Sequence, residues 1–192
     1  MSVKMRQGLG TVLRTGYLRN ILIVSVCIAV IFPIADRFFI YPLFSAFVIE
    51  NSEEEAVRAA RHLAFELSVG PQGVTKDSLP PRFIQEADEI TRTLGLMKFK
   101  VFSKSGETLF STDPEDIGRI NEKAYFHDIV AKGGVYTKLV KKDTKTLEDQ
   151  IATLDVVETY VPISGDRRFA GAFEIYLDIT GRMANIDWLL FV

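Results

Sequence analysis

The sequence has very few of the residues that form disulfides, metal centres and reactive thiol sites. It contains one cysteine, Cys27, among 192 residues, so an internal disulfide is excluded. The two histidines, His62 and His127, have no cysteine, histidine or carboxylate at a recognisable metal-binding spacing. Cys27 lies in an apolar run, where a thiol usually acts as a small hydrophobic side chain. We therefore expect no redox role and no metal site.

Motifs of common enzyme classes are also missing. The sequence contains no GxGxxG, GxxxxGK[ST], GxSxG or CxxC pattern. The acidic pairs Glu115/Asp116 and Glu148/Asp149 lie in predicted loops, where we expect them to be solvated, and Glu53–Glu55 is interpreted as the acidic start of a helix. We predict no catalytic residue and no cofactor in this segment, although a site built from residues distant in sequence remains an alternative.

The charges are distributed unevenly along the chain. Residues 1–20 carry Lys4, Arg6, Arg14 and Arg19 without any acid, which leaves 19 basic and 25 acidic residues in the remainder. The basic cluster flanks an apolar run and the rest of the chain is acidic, so the pattern does not indicate nucleic-acid binding. The composition, with 47% hydrophobic and 25% charged residues, is typical of a globular chain. The mean hydropathy of +0.14 suggests an excess of apolar residues that are either buried or in a membrane.

The apolar run is long enough to suggest a membrane anchor. Asn20–Ala35 contains one strongly polar residue, and Tyr17 and Leu18 extend the run towards the ~20 residues that a membrane-spanning helix needs. Pro33 and Pro42 permit kinks. A cleaved signal peptide is the alternative, but no convincing small-x-small cleavage site follows the run.

Because Lys and Arg are enriched on cytoplasmic flanks, the N-terminus is expected inside the cell. The predicted organisation is a cytoplasmic N-terminus (1–19), a transmembrane helix with its extension (20–49), an extracytoplasmic domain (50–180) and the start of a second transmembrane helix (181–192). The last segment is shorter than a full span, so we expect the chain to be the N-terminal part of a longer receptor.

The domain is expected to be organised around two long strands in Val156–Thr180, joined by a tight turn at Gly165–Asp166. In the second strand, one face carries Phe169, Gly171, Phe173, Ile175 and Leu177, and the other carries Ala170, Ala172, Glu174, Tyr176 and Asp178. This period-2 pattern predicts a sheet that needs a hydrophobic cover on the first face. The second face, small and polar, could form the floor of a pocket.

The remaining patterns predict three helices and three further strands. Apolar residues at helical spacing predict helices at 51–67, at 83–94, where Gly95 ends the helix, and at 121–132, where Asn121 caps it. Alternating residues predict strands at 96–101, 107–112 and 135–140, and a turn at Ser105–Gly106 joins the first two. The charges of the polar connector 141–155 are expected to form a solvated surface. Five antiparallel strands with helices segregated around them form an α+β fold.

The first helix of the domain leaves two questions open. Ser52 and Glu55 fit a capping box, which would start a new helix there, but the helix could equally run unbroken out of the membrane. The stripe of Ala56, Ala60, Leu63 and Leu67 could pack against the sheet, which we favour because the sheet needs a cover, or against a second copy of the chain.

The order of elements and several segments resemble the extracytoplasmic PAS-like or Cache sensor domains of bacterial transmembrane receptors. The segments are VFSKSGETLFSTDPEDIG, AYFHDIVAKG, VVETYVPI and RFAGAFEIYLDIT, and the resemblance covers about Ser52–Thr180. It implies a five-stranded antiparallel sheet behind a long N-terminal helix, flanked by transmembrane helices. It also implies an inner-membrane location and a cytoplasmic histidine kinase, diguanylate cyclase or chemotaxis module beyond this segment.

The resemblance also implies a ligand site. In Cache domains that bind amino acids, the helix after the first hairpin carries an arginine and then aromatic residues, and these positions match Lys123, Tyr125 and Phe126. The strand tyrosine matches Tyr136, and an acid position holds Lys138 instead. The acid at the end of the last strand matches Asp178, which is close to the membrane and could instead cap the following helix.

Two lysines in place of an arginine and an acid change the expected ligand. The ammonium group of an amino-acid ligand requires a carboxylate partner in the protein. Lys123 and Lys138 would instead favour a ligand with a carboxylate or another anionic group. We therefore expect a small organic anion and not a free amino acid. The alternative is that both lysines are solvated surface groups.

Three classes of function follow from these observations. We favour a ligand-sensing receptor domain that acts as a homodimer and passes a conformational change through the membrane. The second class is a ligand-free dimerisation or protein-interaction module, and the third is a membrane-anchored enzyme. A pocket with convergent polar groups beneath the 121–132 helix would favour sensing. A sheet face filled by Tyr and Phe would favour the second class.

Overall fold

The computed structural model describes residues 16–147, 151–166 and 168–191. For Asp36 and residues 186–191 it describes the backbone alone. Lys4, Arg6, Arg14 and the acidic pair Glu148/Asp149 lie outside the described residues.

A single long helix forms the N-terminal part of the structure. Helix α1 (Gly16–Ala35) continues through one turn of π-helix (Asp36–Ile40) into helix α2 (Tyr41–Ala64). Among the described residues, this 49-residue segment is the one helix long and apolar enough to cross a membrane. The predicted cap at Ser52 is wrong, because Ser52 is buried in the middle of α2 and the preceding turn is already helical. The alternative, an unbroken helix, is the one observed.

Helix α3 (Pro81–Thr93) follows the turn-rich connection as predicted. Two prolines precede or open the helix, where a missing backbone N–H costs no helical hydrogen bond. Gly95 ends it with a φ of 62°, a left-handed conformation that favours glycine.

The five predicted strands form one antiparallel sheet. They are β1 (Leu96–Ser103), β2 (Thr108–Ser111), β3 (Tyr136–Val140), β4 (Val156–Gly165) and β5 (Arg168–Asp178). Their order is β2-β1-β5-β4-β3, so the β4–β5 hairpin lies inside the sheet and β5 occupies its centre. The α+β fold with a five-stranded antiparallel sheet and a long N-terminal helix is confirmed.

The helix predicted at 121–132 is shorter than expected. Helix α4 (Ala124–Asp128) is followed by a separate 3-10 turn (Val130–Lys132) that ends at Gly133. Asn121 lies before the helix, where its side-chain oxygen accepts the N–H of Lys123 at 3.1 Å. The chain ends in helix α5 (Thr180–Phe191), directly after β5.

One face of the sheet is covered by α2 and α3. Ala56, Ala60 and Leu63 of α2 are buried against it, and Leu67 packs against the same core. Phe83 of α3 stacks on Phe173 of β5 with ring centroids 6.3 Å apart. The alanine and leucine stripe is therefore the seam between the helix and the sheet, as favoured from the sequence.

The other face is covered by α4 and the connector. The predicted alternation fails at two residues of β5, Phe169 and Ala170, which lie on the faces opposite to those expected. Ile163 pairs with Gly171 but Ser164 pairs with Phe169, so Ala170 is an extra residue in β5. This bulge reverses the side-chain direction beyond it. Phe173 remains in the core under α2, whereas Phe169 packs against Phe126 of α4 on the opposite side.

Candidate functional site: a polar sheet face with a cavity at its edge

The face of the sheet opposite α2 carries an unusual set of charged and phenolic side chains. Strand register aligns them in two rows that cross β1, β5, β4 and β3: Lys100, Glu174, Tyr160 and Tyr136 in one row, and Lys98, Tyr176, Glu158 and Lys138 in the other. Side chains directly opposite in neighbouring strands are close enough to interact. The predicted polar face is therefore real, but it is filled by its own ionic contacts.

Lys100 lies at the centre of these contacts and is fully buried. Its ammonium is 3.0 Å from a carboxylate oxygen of Asp116 and 3.6 Å from one of Glu174. It also lies 5.6 Å from the ring centroid of Tyr176, whose hydroxyl donates to Glu174 at 2.8 Å. Buried charges require such partners, because an isolated charge in the interior is strongly destabilising.

Asp116 joins this buried group to the loop after β2. The expectation that Asp116 is a solvated loop acid is wrong, because its side chain is 2% exposed. Besides Lys100 it accepts Lys98 Nζ at 2.8 Å and contacts the guanidinium of Arg119 at 3.3 Å. Burial raises the pKa of Asp116, but hydrogen bonds from Lys98 and Lys100 outweigh it and leave the pKa below the ordinary value.

Three polar side chains meet where α4 approaches the sheet. The hydroxyls of Tyr125 and Tyr160 lie 3.1 Å apart, and the amide nitrogen of Asn121 donates to both, at 3.2 and 3.3 Å. Burial, followed by the nearby charge of Glu174, raises the pKa of Tyr160 well above its ordinary value. Tyr136 of β3 stacks on Tyr125 with ring centroids 4.7 Å apart.

The turn between β1 and β2 sets the position of Asn121. Gly106 accepts the N–H of Asn121 at 2.9 Å and has a φ of 91°. A Cβ atom at this position would lie 2.9 Å from the backbone oxygen of Asn121, closer than real Cβ contacts allow. Glycine is thus required both for the turn and for the close approach of the segment that leads into α4.

A cavity of about 240 Å³ opens beside this cluster. It is lined by Phe102, Thr108, Arg119, Ile120, Asn121, Glu122, Lys123, Tyr125 and Leu147. Two cationic side chains, an amide and a phenol therefore converge with one carboxylate around a small space. Such a mixture of apolar walls and a few placed polar groups is typical of sites for small molecules.

The structure brings together some of the predicted site residues and separates others. Lys123 and Tyr125 line the cavity, and Tyr136 reaches it indirectly by stacking on Tyr125. Phe126 is fully buried in the core beneath α4. Lys138 lies on β3 opposite Glu158 and is not among the residues that line the cavity.

Asp178 lies away from the cavity, at the far end of β5. Its carboxylate is exposed and accepts the N–H of Thr180 at 2.8 Å, so it caps α5 as the alternative interpretation expected.

Sequence reasoning missed Arg119, Lys100 and Asp116. Arg119 lies in a loop without any pattern, and Lys100 follows the alternation of an exposed strand face. Asn121 was recognised only as a helix cap. Its approach to Tyr160, 39 residues away, depends on the fold and has no signal in the local sequence. Within the residues that the structure describes, no three His, Cys, Asp or Glu side chains are arranged to hold a metal ion.

Comparison with known proteins was informative only at the level of structure. No protein-family model and no curated protein matches the sequence. The sensory domain of the Campylobacter jejuni chemoreceptor Tlp3, solved with isoleucine bound, matches with a TM-score of 0.51 and 10% identity. The match covers 76% of this chain and 59% of that domain. The chain has the fold of a PAS-like receptor sensor domain.

Two other sensor domains give similar matches at the same low level of identity. The Escherichia coli DcuS sensor domain matches with 15% identity and a TM-score of 0.49, and the match covers 73% of this chain and 97% of that one. The sensor domain of the V. cholerae histidine kinase DctB matches with 12% identity and a TM-score of 0.45, and the match covers 76% of this chain and 55% of that one. Because their TM-scores are below 0.5, these two matches add no argument to the fold assignment. The predicted PAS-like sensor fold is confirmed, and the ligand of this domain has to be inferred from its own residues.

Proposed function

We propose that this chain is the extracytoplasmic ligand-sensing part of a membrane-bound bacterial signal-transduction receptor. The observation that supports the proposal is the cavity lined by Arg119, Asn121 and Lys123 at the edge of a sensor-fold sheet. The Tlp3 domain solved with isoleucine has the same fold, so the fold is able to hold a small molecule.

The ligand we propose is a small organic anion. Lys123 provides an ammonium, and Arg119, which also contacts Asp116, provides a guanidinium with further N–H donors for charge-assisted hydrogen bonds to a carboxylate. Glu174 and Glu158, the carboxylates on the sheet face, are engaged with Lys100 and with the N–H of Leu147 respectively. An amino acid would need one of these acids, or Glu122 at the cavity, for its ammonium group.

The proposed topology places residues 1–19 in the cytoplasm, residues 20–49 in and next to the inner membrane, and residues 50–180 outside it. It is supported by the uncompensated cations before the apolar run and by the 49-residue helix. Residues 181–192 then begin a second transmembrane helix that leads to an output module. A histidine kinase, a diguanylate cyclase and a chemotaxis module are all compatible with such a segment.

The route for the signal is proposed to run from the cavity through β5 to α5. Ile179 and Met183, at the junction of β5 and α5, pack with Val48 of α2 and Val157 of β4. A ligand changes the output only if it binds two states of the domain differently. A shift of β5 relative to β4 would move α5 against α2, which continues from α1, the helix proposed to cross the membrane.

Thermal unfolding of the detergent-solubilised 192-residue chain tests the ligand class. We expect a rise in Tm with at least one of acetate, succinate and citrate, and none with isoleucine or alanine. Arg119→Gln and Lys123→Gln should each reduce the shift. Lys132→Gln, which removes an exposed cation outside the cavity, is the matched control. Lys138→Gln tests whether the second predicted lysine, which does not line the cavity, contributes to the shift in Tm. Stabilisation by the amino acids alone would contradict the anion.

A ligand-free interaction module is the second candidate, because one observation favours it. The sheet beneath α4 is filled by Phe102, Phe126 and Tyr160, all buried, and by the ionic contacts of Lys100. A homodimer would suit either function. Failure of all five compounds to stabilise the chain would favour this second candidate.

A further inference from the structure

One end of the sheet lies next to the long apolar helix. Strand β3 ends at Val140, β4 begins at Val156 and β5 ends at Asp178, and these three residues are paired across the strands. Val48 of α2 packs there against Ile179. We call this the helix-proximal end of the domain.

The connector after β3 starts at the helix-proximal end with three exposed lysines, Lys141, Lys142 and Lys145. The ammonium of Lys141 lies 5.7 Å from the ring centroid of Tyr41, the first residue of α2. The guanidinium of Arg37 lies 4.9 Å from the same ring. The basic end of the connector is therefore next to the point where α1 passes into α2.

Three acids among the described residues lie near these cations. Asp143 is exposed on the connector itself. Asp155 accepts the N–H of Lys142 at 2.8 Å and Asp178 caps α5, so both carboxylates are engaged with backbone groups. Glu148 and Asp149 follow in the sequence but lie outside the described residues. Lys141, Lys142, Lys145 and Arg37 are thus four cations beside these three described acids, which leaves a small excess of positive charge at the helix-proximal end.

The helix beside the lysines exposes large apolar side chains. Phe38, Phe39 and Leu43 are 71%, 74% and 70% exposed. They continue the apolar surface of α1, the part of the helix proposed to cross the membrane. An apolar helix surface bordered by cations and aromatic rings is typical of the boundary between the bilayer and water.

We propose that Lys141, Lys142 and Lys145, with Arg37, bind the headgroups of anionic phospholipids in the bilayer that α1 enters. The inference rests on the proposed membrane anchoring. A bilayer is the occupant because Lys141, in the connector that also carries the other two lysines, adjoins the one described helix able to span it, and a negatively charged surface attracts such cations. Leu147 of the same connector lines the cavity, so lipid contact would also position one of its walls.

Residue-resolved lysine labelling tests the proposal. The 192-residue chain is reconstituted in nanodiscs of phosphatidylcholine, with or without phosphatidylglycerol, and treated with an amine-reactive reagent. We expect labelling of the three lysines to fall by about threefold or more in the anionic discs. High salt should reverse the effect, because it screens charges at the membrane surface. Lys76 and Lys104, which line a separate cavity at the opposite end of the domain, are internal controls.

The outcomes distinguish this inference from the proposed function. Failure of the chain to co-elute with either disc would overturn both. Co-elution with equal labelling in the two discs, or an equal fall at Lys76 and Lys104, would overturn only the lipid contact. Soluble glycerol phosphate added to neutral discs should not protect the lysines; protection there would show a free phosphate site and would also overturn the bilayer as the occupant.

Discussion

The ammonium of Lys100 lies 3.0 Å from the carboxylate of Asp116, and both side chains are shielded from water. Lys100 belongs to strand β1, and Asp116 belongs to the loop after β2, which continues into the residues that line the cavity. Asp116 also contacts Arg119, a cavity residue, at 3.3 Å. The carboxylate of Asp116 therefore contacts both Arg119, which is proposed to bind the ligand, and Lys100, which is buried on the sheet.

We predict that Lys100→Met destabilises the domain strongly. The substitution leaves Asp116 with fewer partners and Glu174 buried without the ammonium, and breaking a buried ion pair in this way costs about 3–5 kcal/mol. The free energy of unfolding from urea titration measures the loss. In Lys100→Met/Glu174→Met, an apolar pair replaces the charges, and we expect a smaller loss than the sum of the two single substitutions. Strictly additive losses would contradict a direct interaction between Lys100 and Glu174.

The stability of the domain should fall in acid partly because of Asp116. Its pKa in the folded chain is below the ordinary value of 3.8, so its contribution is present above that pH and is lost as the pH falls through the lower folded pKa. Asp116→Asn should therefore be less stable than the wild type at neutral pH and should lose less stability below about pH 4. Unfolding free energies from pH 7 to pH 3 measure both effects. The surface variant Asp128→Asn should follow the wild type, and an unchanged acid slope in Asp116→Asn would contradict the prediction.

The proposed topology predicts that Lys104 is outside the cytoplasm. Lys104 is exposed in the turn between β1 and β2, where a cysteine should be tolerated. In a Cys27→Ser background, Lys104→Cys should react with a membrane-impermeant maleimide in intact, outer-membrane-permeabilised cells. Lys4→Cys should react only after lysis. Labelling of Lys4→Cys in intact cells would reverse the predicted orientation.

Arg182 of α5 should be coupled energetically to Glu55 of α2. Its guanidinium lies 2.9 Å from the Glu55 carboxylate, and both side chains are partly exposed. Pairs of this kind contribute about 0.2–1 kcal/mol, so we expect a double-mutant cycle with Arg182→Gln and Glu55→Gln to give a coupling energy in that range. The exchange Arg182→Glu/Glu55→Arg should restore part of the stability lost in Arg182→Glu. Independent effects of the two residues would contradict a direct interaction between Arg182 and Glu55.

Several elements could be predicted because their causes are local. The β4–β5 hairpin follows from period-2 alternation on both sides of a turn at Gly165–Asp166, and α3 follows from the prolines before it and Gly95 after it. The apolar helix could be recognised from length and composition. Its continuity through Ser52 could not, because a capping motif is effective only where the preceding residues are not already helical.

The same limit applies to the two strand faces. Alternation assigns each side chain to a face, but the bulge at Ala170 shifts the assignment of Phe169 to the other side. A bulge is defined by the pairing of two strands, so one strand's own sequence does not reveal it.

For the candidate site, the sequence by itself determined that an aromatic and lysine-bearing segment, AYF after Lys123, would precede the last three strands. It also determined that the central strand would carry Glu174 and Tyr176 on one face. Only the tertiary structure decided that Lys100 and Asp116 are buried and that Arg119, Asn121 and Lys123 share a cavity. The physical reason is that a charged side chain is stable in the interior only with partners, and its partners here come from segments far away in the sequence.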